Sequence, residues 1–303
     1  MANFQLYNSK GQTLSERNIK LPPYSKIKGV DAPKGYIASQ PLTDAVNVAL
    51  ALGQPLLLTG EPGTGKTQLA SSIAHQLGLS LLKFYTKTTS TARDLFYRYD
   101  SLRHFHDAQL KEKNNVSTSD YIELNALGQA IINSNDIRSV VLIDEIDKAP
   151  RDFPNDVLNE LENMAFRIRE TGKEYRTKEA NRPIVIITSN SEKNLPDAFL
   201  RRCIFYHIPF PNTDLLKRIV NSRVLLNEGF KNEMLDAAIE HFEDLRAKKL
   251  RKKPATAELL SWIHVLNSLN INPDASLSTE IKQLKMTYTI LAKNQDDLNT
   301  MRG

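Results

Sequence analysis

Residues 55–67 read PLLLTGEPGTGKT. Leu56, Leu57 and Leu58 make a short apolar run of the length a buried strand needs, and a glycine-rich turn follows it. A helix comes next, with Leu69, Ile73 and Leu77 on one face and Gly78 as its stop signal. A strand, a turn and a helix in that order place the turn at the carboxyl edge of a parallel sheet. The helix then aims its free N–H groups and the positive end of its dipole at any anion seated there. Gly60, Gly63 and Gly65 allow backbone angles and close approaches that a Cβ would hinder. The spacing G-x-x-x-x-G-K-T over residues 60–67 is that of a loop that wraps phosphates. Lys66 is suited to the β- and γ-phosphates and the Thr67 hydroxyl to Mg²⁺. Glu61, Pro62, Thr64 and Gln68 complete the segment expected to hold ATP.

About eighty residues on, VVLIDE (140–145) is a second apolar strand closed by two carboxylates. Ligands of open α/β sheets bind at the carboxyl ends of strands, so these acids are expected beside the phosphate loop. Asp144 is the candidate metal holder, directly or through water. Glu145 is the candidate base for the attacking water. Two adjacent acids facing a triphosphate need a cation between them, and magnesium fits.

Outward from these stretches, apolar strands alternate with amphipathic helices, which predicts a parallel sheet covered on both faces. Ser39 should cap a helix carrying Leu42, Val46 and Leu50 that ends at Gly53. Further strands are expected at Leu81–Thr86, Ser139–Ile143, Ile184–Ser189 and Ile204–His207, and a helix at about 154–165. Residues 100–120 read as an irregular charged insertion, and 167–183 as a protruding hairpin with a Thr-Gly turn. After Pro211 the strand signal stops and three or four amphipathic helices follow, the last near 278–292. The expected division is a polar arm (1–35), an α/β nucleotide-binding domain (36–211) and a helical domain (212–303).

Bulk properties narrow the class. With 303 residues, 41% hydrophobic and 25% charged, the chain can bury a core and is not a disordered tail. The net charge of +5 is too small to argue by itself for nucleic acid. Cys203 is the single cysteine, so no disulfide forms within the chain and a reducing compartment fits. The polar start and the lack of an 18-residue apolar run point to a cytoplasmic protein without a membrane segment.

GEPGTGKT followed by VVLIDEIDKAP resembles the AAA+ ATPases, and within them the MoxR-like group, over roughly residues 36–270. The resemblance implies a P-loop NTPase fold, a five-stranded parallel sheet flanked by helices, with a small C-terminal helical lid. It implies Mg-dependent ATP hydrolysis completed across the subunits of a homo-oligomeric ring, six being the family expectation. Asn190, at the end of IVIITSN, matches the sensor-1 position. Arg202 in LPDAFLRRC matches the arginine finger, with Arg201 its neighbouring candidate. Thr86 falls where relatives restrain the catalytic glutamate, and Tyr36 and Ile37 where they line the adenine pocket. One departure is plain: the sensor-2 position in KKPATAELLSW holds Ala257, leaving Lys252 or Lys253 as substitutes. The stretches 95–125 and 166–183 resemble insertions of this clade, one in its second helix and one a hairpin before sensor 1. Both would project where such ATPases engage what they act on. The group remodels or activates partner proteins, often ones with a von Willebrand A domain.

The alternative reading is a nucleic-acid motor or loader, suggested by Arg201-Arg202-Cys203 and the basic run KKLRKK (248–253). No helix-turn-helix or zinc motif accompanies them, and few aromatics that could stack on bases. His104 and His106 with Asp107 resemble a metal fragment, but lack further ligands nearby and read as loop residues. Trp262 reads as core of an amphipathic helix, and Cys203 as a small buried residue.

Overall fold

The computed structural model describes residues 33–109, 117–191, 195–224, 232–269, 271–273 and 278–303. The chain divides into two compact units, one of residues 38–210 and one that joins 211–303 to the segment before residue 38.

The first unit runs α1 (Gln40–Leu52), β1 (Leu56–Thr59), α2 (Lys66–Leu77), β2 (Ser80–Tyr85), β3 (Tyr97–Tyr99), α3 (Ser101–Gln109), β4 (Ile122–Leu124) and α4 (Ala126–Asn133). It continues with β5 (Ser139–Asp144), α5 (Phe153–Asp156), α6 (Leu158–Asn163), β6 (Ala165–Arg167), β7 (Glu174–Arg176), β8 (Ile184–Thr188), α7 (Asp197–Leu200) and β9 (Ile204–His207). Its main sheet has the order β2-β5-β8-β1-β9, with every pair parallel. That is the fold class expected from the sequence. Parallel neighbours cannot be joined by tight turns, so the helices serve as crossovers and cover the sheet.

The order decides where chemistry can collect. β8 lies between β1 and β5, so the ends of the glycine-loop strand and the acidic strand sit one strand apart. Leu56, Leu57 and Leu58 of β1 and Val140 to Ile143 of β5 are all fully buried. Each such side chain contributes about 1.5–3 kcal/mol by leaving water. A one-residue slip of β1 would turn its buried set over and put Thr59 out of register with His207.

Helix ends follow local chemistry. The Ser39 hydroxyl accepts the Leu42 N–H at 3.4 Å, and Gly53 closes α1 in the left-handed region (φ 62°) with its N–H on the Ala49 carbonyl. The predicted helix at 154–165 is instead two short pieces, α5 and α6, and the chain turns into β6 through Met164 at φ 45°. A residue held in the left-handed region ends an α-helix, and Met164, fully buried, is fixed there by packing.

The stretch predicted as irregular, 100–120, contains α3. Its His104 ring stacks on Tyr121 at 4.6 Å, and the Tyr121 hydroxyl donates to Asp107 at 2.8 Å. These contacts hold the helix on β3–β4, a two-stranded antiparallel ribbon. The insertion precedes α4 in the chain. The hairpin expected at 167–183 is present as β6–β7. The two insertions pack together. Phe166 stacks on Phe96 at 5.1 Å and on Tyr175 at 5.4 Å, and the Tyr97 hydroxyl accepts the Arg169 N–H at 3.0 Å.

The second unit contains α8 (Thr213–Arg223), α9 (Asn232–Ala247), α10 (Thr256–Leu269), α11 (Ser278–Thr287) and α12 (Gln295–Arg302). The predicted apolar faces are buried: Leu216, Val220 and Val224; Leu235, Ile239, Phe242 and Leu245; Leu259, Ile263 and Leu266. Trp262 is fully buried in this core and donates through Nε1 to the Thr287 hydroxyl at 2.7 Å. α12 was not expected. Its sequence, QDDLNTMR, has no apolar stripe, and it starts because the Asn294 side chain accepts the Asp297 N–H at 2.8 Å. Of the arm expected at 1–35, residues 1–32 lie outside the described residues and Pro33–Gly35 form a 3₁₀ turn. Among the described residues no helix is long and apolar enough to cross a membrane.

Candidate functional site

The glycine loop is built by close approach. Gly60 has φ 143°, and a Cβ there would stand 2.5 Å from the Ile208 carbonyl oxygen, so only glycine fits. Gly65, the residue that starts α2, has φ 89°, and Gly63 has φ 77°. The Thr64 hydroxyl donates to the Glu61 carbonyl at 2.9 Å and closes the turn, while Glu61, Pro62 and Gly63 are exposed on its outside. Lys66 is buried and folds back, donating to the carbonyls of Gly60 at 2.8 Å and Glu61 at 3.0 Å. Burial lowers its proton affinity, and the carboxylates of Asp147, Asp144, Glu145 and Glu61 partly offset that. Gln68 follows Thr67 in the first turn of α2, half-buried.

Asp144, at the end of β5, is buried. One of its oxygens, Oδ1, accepts from the Thr67 hydroxyl at 2.9 Å and from the Thr188 hydroxyl at 2.6 Å. The Thr188 oxygen in turn accepts the Glu145 N–H at 2.9 Å. Thus β8, lying between β1 and β5, stitches the two acids to the phosphate loop. The oxygens of Thr67 and Asp144 fit a magnesium ion. An octahedral site with arms of about 2.0–2.1 Å has neighbouring ligands about 2.9 Å apart. Among the described residues no His, Cys, Asp or Glu cluster of three or more could hold a metal, so the remaining ligands would be phosphates and waters.

Glu145 takes the left-handed conformation, φ 58° and ψ 51°, uncommon outside glycine. Its carboxylate is paired with the ammonium of Lys148, three residues on in the same 3₁₀ turn. Asn190 follows β8, and its backbone N–H donates to the Asp147 carboxylate at 3.1 Å. Thr86 follows β2. Its N–H donates to the Asp144 carbonyl at 3.1 Å, and its buried hydroxyl has no hydrogen-bond partner. Gly60 to Thr67, Asp144, Glu145 and Asn190 therefore gather at the carboxyl edge of one sheet.

Arg201 and Arg202 stand elsewhere, exposed at the amino end of β9. Arg202 donates from Nε to Glu162 at 3.0 Å and from Nη1 to the Ala198 carbonyl at 3.1 Å. Burial raises the pKa of the neighbouring Cys203 thiol to about 12, so it stays protonated and unreactive at neutral pH. Tyr36 and Ile37 belong to the helical unit, half-buried. So does Ala257, in the first turn of α10. Lys252 and Lys253 are exposed, and the backbone before α10 is fixed by Asp297, which accepts the N–H groups of Arg251 at 2.8 Å and Lys252 at 3.0 Å.

Three residues were not singled out from sequence: Thr188, Asp147 and Lys148. Thr188 is a polar residue inside an otherwise apolar strand, and that was a usable signal. Asp147 and Lys148 lie in the run 143–150 with the two acids, but only the turn after β5 shows which way they point.

Residues 55–203 match the family model of an AAA domain, dynein-related subfamily. No curated protein matches the chain. The matched segment spans β1 through the arginines before β9, and so contains the glycine loop, the acidic strand end and Asn190. The five-stranded parallel sheet flanked by helices is the α/β fold of the P-loop class, and residues 55–203 within it are similar to an AAA domain.

Proposed function

We propose that this chain is an ATP-hydrolysing, MoxR-like AAA+ protein that works as a homo-oligomeric ring and remodels or activates a partner protein. The observation that carries hydrolysis is the 2.9 Å contact of Thr67 with Asp144, with Glu145 next in the chain. The reading is supported by the hydrogen-bonded network that joins Thr67, Asp144, Thr188 and the Glu145 N–H beside the glycine loop.

In this reading Lys66 releases the carbonyls of Gly60 and Glu61 and takes the β- and γ-phosphates. The amides of the loop and of α2 hold the remaining phosphate oxygens. Magnesium, held by Thr67 and Asp144, supplies charge neutralisation to the triphosphate. Glu145 accepts the proton of the attacking water, and Asn190 orients that water or the γ-phosphate. Thr86 is a second seat for the Glu145 carboxylate, since its buried hydroxyl is without a partner. Arg202, with Arg201 beside it, neutralises the γ-phosphate bound to a neighbouring copy. Lys252 or Lys253 takes the place of the sensor-2 arginine, and Tyr36 and Ile37 line the adenine.

Phosphate release by the full-length chain tests this reading. Glu145→Gln should slow turnover about 10²- to 10⁴-fold while ATP still binds; equal turnover would remove the reading. Arg202→Ala should be inactive alone and regain activity when mixed with Glu145→Gln subunits; no recovery at any ratio would count against action across subunits. Capture of proteins on the Glu145→Gln form in ATP, with a von Willebrand A domain among those sought, addresses the partner. The exposed Lys249, Lys252 and Lys253 favour the nucleic-acid reading, and strong, salt-sensitive stimulation of hydrolysis by DNA would turn the assignment to it.

A further inference from the structure

Glu145 is fixed at its backbone and free only in its side chain. Its N–H is held by Thr188, and its carbonyl accepts the Lys148 N–H at 2.9 Å. The left-handed φ of 58° sets the direction in which the side chain leaves the strand. Where the carboxylate stands is then decided by what it pairs with, and its partner is the Lys148 ammonium. Lys148 is itself anchored, because its 3₁₀ turn is closed by the Ala149 N–H on the Ile146 carbonyl at 3.1 Å. The pair is therefore a short-range contact between two residues of one rigid turn.

This pairing opposes the task assigned to Glu145. A carboxylate engaged by an ammonium directs its lone pairs at the lysine and not at water. We propose that Lys148 is a positioning residue that holds Glu145 back, so that hydrolysis proceeds from the fraction of molecules in which this ion pair is open. The inference rests on the hydrolysis reading above and adds a brake to it.

The contact is solvent-accessible, with 52% of the Lys148 side chain and 42% of the Glu145 side chain exposed. Exposed pairs are weak, so opening it should change turnover by no more than about fivefold. Salt should weaken it too.

The test is steady-state ATP hydrolysis by the full-length chain, at protein concentrations where specific activity is constant. Lys148→Ala should raise kcat about two- to fivefold with KM for ATP unchanged, and Lys148→Arg, which keeps the pair, should return kcat towards wild type. Raising potassium chloride from about 50 to about 500 mM should increase wild-type kcat and leave Lys148→Ala flat. Lys148→Ala in the Glu145→Gln background should leave ATP affinity unaltered. Glu145-dependent turnover in wild type with an unchanged or slower Lys148→Ala would overturn this inference alone. Wild-type turnover that does not depend on Glu145 would overturn the hydrolysis reading instead.

Discussion

The two units put buried polar groups to opposite uses. In the α/β unit Lys66, Asp144 and Thr188 are buried together at one sheet edge, with Asp144 joined to Thr67 and Thr188 and Lys66 folded onto its own loop. In the helical unit Asp297, Thr287 and Arg246 are also buried, but each serves a neighbour that would otherwise lack a partner. Asp297 ends two backbone N–H groups, Thr287 receives the Trp262 indole, and Arg246 donates to the Pro254 carbonyl. On the proposed reading the first arrangement holds charge ready for a ligand, whereas the second closes a fold. Removing a member of the first should therefore cost binding or turnover, and removing a member of the second should cost stability.

Trp262→Ala breaks the comparison most forcefully on the helical side. A fully buried indole is lost together with its bond to Thr287, and denaturant unfolding should register a loss of about 3–5 kcal/mol. Lys66→Ala is the counterpart. It should weaken ATP affinity about 100-fold, read by titration with a fluorescent analogue, because a charged donor to phosphate is removed. Its melting temperature should hold or rise, since burial disfavours the charged lysine in the folded chain. A Lys66→Ala protein that melts much earlier would erase the distinction between the units.

Thr188→Val should have an intermediate effect. The Asp144 carboxylate loses one donor and the Glu145 N–H loses its acceptor, a cost of about 1–3 kcal/mol. The expectation is about a tenfold fall in kcat alongside that loss of stability; a loss of stability with kcat unchanged would make Thr188 a core residue only. The smallest effect concerns acid. Burial by itself raises the Asp297 pKa, but the N–H groups of Arg251 and Lys252 and the Asn294 amide outweigh it, and the carboxyl lies below its ordinary 3.8. A depressed carboxyl stabilises the fold above its unfolded pKa and loses that contribution as pH falls through the folded value. Wild type should thus lose stability more steeply than Asp297→Asn below about pH 4, in acid titrations followed by circular dichroism.

What could be read in advance follows the range of the interactions. The glycine loop and the acidic strand end are local: the chemistry dictates residue types at fixed spacing, and β1, α2, β5 and β8 were legible from the same short windows. Thr188 acquires its role only through the strand order, which puts β8 between β1 and β5. Lys148 acquires its role through a single left-handed residue, Glu145, and a φ of that sign is not announced by a glutamate. The helix expected at about 154–165 stops near its expected end, at Met164, but is split at Val157 (φ −98°, ψ −1°), a break that its sequence does not announce. α12 escaped notice because a cap and a carboxylate make it, not an apolar stripe.

The parallel run of β1 and β9 has a geometric corollary. The glycines follow β1 at its carboxyl end, and Arg202 precedes β9 at its amino end, with the whole of Ile204–His207 between them along the strand direction. If Arg202 is the finger proposed above, it stands at the end of this strand pair opposite to the glycine loop of its own copy, and serves the nucleotide of another. On the proposed reading, copies that join the finger of one to the phosphate site of the next in a single direction make a head-to-tail contact, which closes as a ring or runs on as a helix. Whether such a repeat would close on itself or climb into a filament is set by the angle between successive copies.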